Sequence, residues 1–279
     1  MENKTVIVTG SNTGIGFETA LDLAKRGAKV ILACRDVTKG NEAKLKIIEA
    51  TGNKNVIFKP LDLSSFKSVR SFAEDIVKSE PKLDVLINNA GTGKLDNSLT
   101  ADNLPIETQV NHFSPFLLSM LLLPLLKLSA PSRIVIVSSV MHYFGTIKDL
   151  DKQATTWLGH SRVYSNTKLA NILFAKKLSD HLQGSGVTVN CLHPGPVNTD
   201  IFRHQPAFVR VLLRFFFKSP EEGAQTSIYL AVAPELSETS GKYFRDCQEA
   251  KPARKACDDH TANVLWELSE RVTGQKKDL

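Results

Sequence analysis

The sequence predicts a single-domain α/β fold over residues 1–279: a doubly wound parallel sheet of about seven strands with a small substrate-binding lobe near 198–218. Three observations carry this. Short β-branched and apolar runs alternate with longer segments of helical period, the first run ends in a glycine-rich turn, and no Gly-, Ser- or Pro-rich linker or internal repeat divides the chain. Composition agrees: 42% hydrophobic and 23% charged residues exclude a collagen, a low-complexity scaffold and a mostly disordered chain.

Taken in order, the expected strands are Lys4–Thr9, Lys29–Ala33, Val56–Leu61, Val85–Asn88, Arg133–Ser138 and Thr188–Leu192. Each is a nearly continuous apolar run, the pattern of strands covered on both faces. Helical periodicity fills 14–26, 38–50, 65–79, 104–127 and 162–183, and strand–helix–strand alternation implies right-handed crossovers and a parallel sheet. The stretch 198–218 breaks the rhythm, and the chain closes with Pro220–Ala233 and a helix near Thr261–Val272. The apolar run Phe113–Leu126 holds two prolines and is short for a membrane span.

The formal charge of +6 is diffuse; it favours anionic ligands or a membrane surface, and no nucleic acid is expected. Cys34, Cys191, Cys247 and Cys257 lack metal-ligand spacing, so neither a metal nor a disulfide framework is expected, and Cys34 and Cys191 read as small buried hydrophobes. The first strand begins within a few residues of Met1, which predicts neither signal peptide nor N-terminal anchor and a cytoplasmic location.

The first strand runs into Gly10-Ser11-Asn12-Thr13-Gly14-Ile15-Gly16, where a helix starts. Glycines let the backbone turn sharply and approach a pyrophosphate, while the helix N-terminus offers unpaired N–H groups and partial positive charge. After the first strand of an alternating sheet, this reads as a Rossmann-type dinucleotide site. The second strand ends Ala33-Cys34-Arg35, without the acid that commonly accepts ribose hydroxyls in an NAD site. Arg35 is placed to pair with a 2′-phosphate, which favours NADP(H); a solvated surface charge is the competing reading. Asp36 reads as the cap of the next helix.

Three more motifs follow: Asn88-Asn89-Ala90-Gly91 after the fourth strand, Ser138-Ser139 after the fifth, and Tyr164-Ser165-Asn166-Thr167-Lys168 opening a helix. With the glycine loop, in this order and spacing, they resemble the short-chain dehydrogenase/reductase family over almost the whole chain. The segments 32–36 (LACRD), 110–112 (VNH), 132–139 (SRIVIVSS), 168–178 (KLANILFAKKL), 193–203 (HPGPVNTDIFR) and 222–231 (EGAQTSIYLA) look like its retinol dehydrogenase/retinal reductase branch. The resemblance implies an NADP(H)-dependent oxidoreductase interconverting a lipophilic alcohol and its aldehyde or ketone, with retinol and retinal as the expected type of substrate. The alternatives are a terpenoid such as farnesol or a steroid within the family, and a non-catalytic NADP(H)-binding sensor outside it. Where branch members usually read N-H-x-G-H-F, this chain has Asn111-His112-Phe113-Ser114-Pro115-Phe116, and Thr92-Gly93 follow the Asn-Asn-Ala-Gly motif.

Tyr164 and Lys168, four apart, share a helix face. A phenol titrates near pH 10, and a nearby ammonium lowers that, so Tyr164 can pass a proton to or from the substrate oxygen. The resemblance assigns it that role and gives Lys168 the nicotinamide ribose as well. It makes Ser139 the hydrogen-bond donor to the substrate oxygen, Ser138 structural, and Asn111 the support of a water-mediated proton relay. It further implies cofactor contacts by Asp62 and Leu63 at the adenine, by Asn89, Ala90 and Gly91 near the adenine ribose and pyrophosphate, and by Pro194, Gly195, Val197 and Thr199 at the carboxamide. Met141, His142, Tyr143 and Phe144 read as pocket wall; His142 could be a base, but a packed or hydrogen-bonded histidine is the stronger reading.

Pro206–Lys218 interleaves Phe208, Val209, Leu212, Leu213, Phe215, Phe216 and Phe217 with Arg210, Arg214 and Lys218. It reads as a lid over a lipophilic substrate, a helix making reversible contact with the cytosolic face of an anionic membrane, or a helix in the core or at an interface. The C-terminal Lys276-Lys277-Asp278-Leu279 resembles a retrieval signal that works on anchored proteins. Helices 104–127 and 162–183 are the expected face of a homodimer, by the same resemblance.

Overall fold

The computed structural model describes residues 1–93, 98–153, 157–196 (backbone only for 157–161) and 218–275. Val197, Thr199, most of the expected lobe 198–218 and the C-terminal Lys276–Leu279 lie outside the described residues. The strands are β1 (Thr5–Thr9), β2 (Lys29–Cys34), β3 (Val56–Pro60), β4 (Val85–Asn88), β5 (Ser132–Val137), β6 (Val187–His193), β7 (Tyr243–Arg245) and β8 (Gln248–Glu249). They form one sheet in the order β3-β2-β1-β4-β5-β6-β7-β8, parallel throughout except for β8, which runs antiparallel to β7.

The sheet thus has eight strands where about seven were expected. Two of them, β7 and the two-residue hairpin arm β8, fall outside the six stretches expected; the arm is turned by Asp246 and Cys247, both in the left-handed region at φ 52° and 60°. Neither an Asn-Gly pair nor a β-branched run marks it in the sequence. Elsewhere the expected strands stand within a residue of their observed limits.

The helices are α1 (Gly14–Lys25), α2 (Val37–Thr51), α3 (Phe66–Ser79), α4 (Ile106–Leu128), α5 (Trp157–His181), α6 (Pro220–Val232) and α7 (Asp259–Thr273). Their apolar faces cover both sides of the sheet, and β1 shows the division. Val6 and Val8 join Leu23, Ala43, Ile47 and Leu230 on the α1–α2–α6 side, whereas Ile7 joins Phe72, Leu117, Leu173 and Leu265 on the α3–α4–α5–α7 side. Successive side chains of a strand point to opposite faces, so a sheet buried on both needs apolar residues at every position.

Two helices depart from the simple pattern. α4 contains a π-helical stretch at Gln109–Phe113, where the Ser114 amide closes on Gln109 O, five residues back. α4 is long and apolar enough to cross a membrane, but 83% of its most apolar window is buried against the sheet and its neighbours, as in a core helix; Pro124 and Leu128 remain exposed. α5 starts at Trp157, earlier than its expected limit of 162.

The order of the strands places the site. β1 has β2 on one side and β4 on the other, so the connections leaving the carboxyl ends of β1 and β4 run in opposite directions and open a crevice between them. The glycine loop follows β1, and the Asn-Asn-Ala-Gly segment follows β4.

Candidate active site

The crevice floor is backbone. Gly10 and Gly14 take φ of +66° and +58°, the left-handed region that favours glycine. A Cβ on Gly10 would stand 2.9 Å from Ala90 Cα; one on Gly16 would stand 2.4 Å from Gly10 O and 2.5 Å from Asn89 Nδ2. Glycine is therefore enforced by close approach as well as by φ. Thr9 Oγ1 accepts the amides of Asn89 and Ala90, both at 3.0 Å, and Asn89 Nδ2 donates to Thr9 O at 2.8 Å. These bonds lock the ends of β1 and β4 together and aim the α1 N-terminus, whose first turn holds no acid, at the crevice. Ser11 is wholly buried and its hydroxyl has no hydrogen-bond partner within normal geometry; the Cys34 thiol is its polar neighbour.

At the far edge of this floor Cys34 ends β2, buried, and Arg35 stands exposed directly after it. Asp36 caps α2, its Oδ1 accepting the Lys39 amide at 3.0 Å. Asp62 folds back on Ser64, accepting its amide at 2.9 Å and its hydroxyl at 2.7 Å, while Leu63 is buried and its carbonyl accepts Ser114 Oγ at 2.6 Å. On the other side Gly195 takes φ +89° and donates its amide to His193 Nδ1 at 3.0 Å, behind a buried Pro194. Burial holds the His193 imidazole down to about 4, so at neutral pH it accepts that amide uncharged. A cradle of enforced glycines, an open helix N-terminus and a cation at the second strand's end fit a dinucleotide.

The opposite wall is made of side chains. Tyr164 and Lys168 face the crevice from α5, with Lys168 Nζ 5.4 Å from the Tyr164 ring centroid. Ser139, two residues past β5, has the Tyr164 hydroxyl as its neighbour. Where the sequence led to a lowered phenol, burial pushes Tyr164 up to about 12; the Ser139 hydroxyl opposes this and the Glu107 carboxylate adds to it. Lys168 is buried, donates to Val137 O at 3.2 Å, and is held down to about 8 by burial, with Cys191 opposing. It thus stays mostly protonated at neutral pH, an ammonium against the phenol ring.

Asn111 sits in the π-helical stretch of α4. Its Oδ1 accepts the Thr92 amide at 2.7 Å, and its Nδ2 donates to Thr92 O at 2.9 Å and to Thr167 Oγ1 at 3.2 Å. The amide of Asn111 is thereby used in fixing the loop after β4 to α5. Gly91 is where the groups converge: a Cβ there would lie 3.3 Å from Lys168 Nζ and 3.4 Å from Asn111 Oδ1. The structure thus brings Asn111, Ser139, Tyr164 and Lys168 around one end of the crevice, and the glycine loop, Asn89, Ala90 and Gly91 along its floor.

Ser138 has the structural place expected of it: its Oγ donates to Lys168 O at 2.6 Å, pinning α5 to β5. Sequence reading missed other supports. Thr167 Oγ1 donates to Tyr164 O at 2.7 Å while receiving Asn111, and Asn171 Nδ2 donates to Val137 O at 3.2 Å. The buried Glu107 precedes Asn111 by one helical turn. Thr167 lies inside a motif the sequence offers, but its partner is 56 residues away, and no local pattern encodes that pairing.

A family model described as short chain dehydrogenase matches residues 4–209. The human "Dehydrogenase/reductase SDR family member 13" is 45% identical over 281 residues, covering 98% of this chain and 74% of the relative. Mouse "Retinol dehydrogenase 11" is 46% identical over 277 residues, covering 98% and 87%. Among solved structures, the "Pseudomonas aeruginosa RhlG/NADP active-site complex" superposes with a TM-score of 0.70 at 26% identity, over 88% of this chain and 94% of that one.

Proposed function

The chain belongs to the short chain dehydrogenase family and is an oxidoreductase of CH–OH groups that works with a nicotinamide cofactor; on that premise we propose that the cofactor is NADP(H) and the substrate a lipophilic alcohol or its aldehyde or ketone, retinol/retinal-like. The observation that carries the chemistry is Tyr164, beside Ser139 and with Lys168 Nζ 5.4 Å from its ring centroid. Bound nicotinamide supplies or accepts the hydride.

The chain's own residues manage the proton. In reduction Tyr164 Oη gives its proton to the carbonyl oxygen as negative charge grows there. The Ser139 hydroxyl donates a second hydrogen bond to that oxygen, a preformed donor at the point of developing charge. The Lys168 ammonium stabilises the phenolate left behind and offers its donors to the nicotinamide ribose. Asn111 holds Thr92 and Thr167 in place around this group and supports the path that returns a proton to Tyr164. Oxidation runs the same transfers backwards.

Arg35 supports NADP(H): exposed at the end of β2, where an acid would otherwise meet the ribose hydroxyls, it can form a charge-assisted pair with a 2′-phosphate. By name the RhlG structure is a complex with NADP, and the mouse relative is a retinol dehydrogenase. Val140, Met141, Tyr143 and Phe144, all exposed on the turn after Ser139, give the substrate end an apolar rim. Reversible membrane contact through 206–218 belongs to the same proposal, and co-sedimentation with anionic liposomes tests it.

The main test is a titration. Wild type should bind NADPH more tightly than NADH, and Arg35→Asp should weaken NADPH by about 10- to 100-fold, since a charge-assisted bond contributes about 1.5–3 kcal/mol, with a smaller loss for NADH. Equal wild-type affinities by fluorescence titration overturn the cofactor choice. Consumption of NADPH on small aldehydes but none on retinaldehyde or other lipophilic carbonyls overturns the substrate class.

A further inference from the structure

We infer that His142 is a positioning residue for Ser139, tying the reactive serine to a C-terminal strap at 251–255. The inference rests on the reading of Ser139 as the hydrogen-bond donor to the substrate oxygen. Ser139 caps the short 3₁₀ turn Val140–Phe144, its Oγ accepting the Met141 amide at 3.2 Å. That bond uses a lone pair and leaves the hydroxyl hydrogen for a substrate. What remains to be fixed is the backbone carrying it.

His142, wholly buried, does this. Its Nδ1 stands 2.7 Å from Ser139 O, and the Ala253 amide donates to its Nε2 at 3.0 Å. A carbonyl only accepts, so Nδ1 carries the proton; an amide N–H only donates, so Nε2 is bare. Both bonds together specify one neutral tautomer. Two flanking bonds run beside them: Tyr143 Oη donates to Lys251 O at 3.3 Å, and Lys255 Nζ donates to Gly145 O. Residues 251–255 are thus laced along 142–145, although they lie more than 100 positions away and beyond residue 209, where the family match ends.

Two simpler roles fit less well. A general base needs a nitrogen free to meet substrate, and both nitrogens here are committed inside the fold. A packing ring would need neither bond, and Tyr143 and Tyr243, with centroids 4.3 Å and 5.3 Å from the imidazole, already supply ring contacts. The titratable groups around it are Lys255 on the strap, Tyr243 on β7, His193 on β6, Tyr143 on its own turn and Tyr164 on α5, reached through Ser139. Burial, the largest cause, and Lys255 hold the imidazole below its ordinary 6.5 against the opposing bond to Ser139. Protonation would set an N–H at Nε2 against the Ala253 N–H and open the strap, so turnover should fall in acid, below pH 6.5.

The test uses full-length protein with NADPH and one lipophilic aldehyde. His142→Phe keeps a ring and loses both bonds. It should lower kcat about tenfold to a hundredfold, as expected for a reacting group displaced by up to an ångström, with KM for NADPH within about twofold of wild type. His142→Asn restores a donor at the Nδ1 position. It should recover most of kcat and, having no titrating ring, lose the acid limb of the kcat profile. Thermal melting and NADPH titration establish that each variant is folded. A folded His142→Phe enzyme with wild-type kcat overturns the inference, and so does a His142→Asn enzyme as slow as His142→Phe that keeps the acid limb. Ser139→Ala separates the two ideas: if it leaves kcat intact, the reading of Ser139 fails; if it abolishes turnover while His142→Phe does not, only the role of His142 fails.

Discussion

Along the β1–β4 crevice the surface offered to a ligand is main chain: Gly10 and Gly14 at positive φ, Gly16 closed against Gly10 O and Asn89, and the amides opening α1. Across from it, at β5, α4 and α5, the surface is side chains, each held by partners far away in sequence: Lys168 on Val137, Asn111 on Thr92 and Thr167, Ser139 through His142 on Ala253. The first wall works by what it lacks, since any Cβ fills it. The second works by what it has desolvated, a phenol pushed up to about 12 and an ammonium held down to about 8. Mutation should therefore damage the glycine wall by addition and the side-chain wall by deletion.

The largest effect should come from the side-chain wall. Tyr164→Phe removes one hydroxyl and should cut kcat by about 10²–10⁴, the usual contribution of a positioned acid or base, with NADPH affinity nearly unchanged by titration. Retained turnover would move the proton to another group.

On the glycine wall, Gly16→Ala adds one carbon at 2.4 Å from Gly10 O and 2.5 Å from Asn89 Nδ2. Overpacking of this kind costs about 1–3 kcal/mol, so the melting temperature should fall together with cofactor affinity. A variant that melts and binds like wild type would mean that the loop relaxes, and the contrast between the two walls would lose its basis.

Lys168→Met sharpens the comparison, because it should separate stability from function. A lone buried ammonium is costly, so the variant should lose turnover yet melt higher, by about 1–3 kcal/mol at pH 7. The sign with pH follows from a folded pKa of about 8 against the ordinary 10.5. Between these values the unfolded wild type binds more protons, so its stability rises with pH there, and the gap to Lys168→Met should narrow from pH 8 to 10.5. Melting both proteins across that range checks it; a constant gap would mean that Lys168 is not desolvated.

The smallest effect should be at the rim. Asp36→Ala deletes the α2 cap and should cost about 1 kcal/mol without changing kcat. A clear kcat change would show that the cap also sets Arg35.

The glycine wall was legible almost residue by residue, because its constraint is local: a turn, a positive φ and a helix start lie within seven residues, Gly10–Gly16. The strands and helices were legible for a similar reason, since a sheet covered on both faces writes apolar runs into the chain. β7 and the hairpin arm β8 were not, for they are three and two residues long and are held by pairing with β6 and with each other. The π-helical stretch at Gln109–Phe113 was not either, because its period differs from that of an α-helix by one residue within a single turn. His142 shows the limit most clearly. The sequence offered both a base and a packed or bonded histidine, and only Ser139 O and Ala253 N–H, on either side of its ring, specify the tautomer.

By itself the sequence determined the doubly wound sheet and the glycine loop; the four polar residues at its end were named through a family resemblance. Short-range sterics and hydrophobic periodicity act between neighbours in the chain, so they can be read there. Tertiary structure alone decided which hydrogen bond each buried polar group keeps, how far Tyr164 and Lys168 are shifted from their ordinary pKa values, and that a strap at 251–255 is tied through His142 to the backbone of Ser139. Desolvation and long-range hydrogen bonds depend on groups brought together from distant positions, and they exist only once the chain has folded.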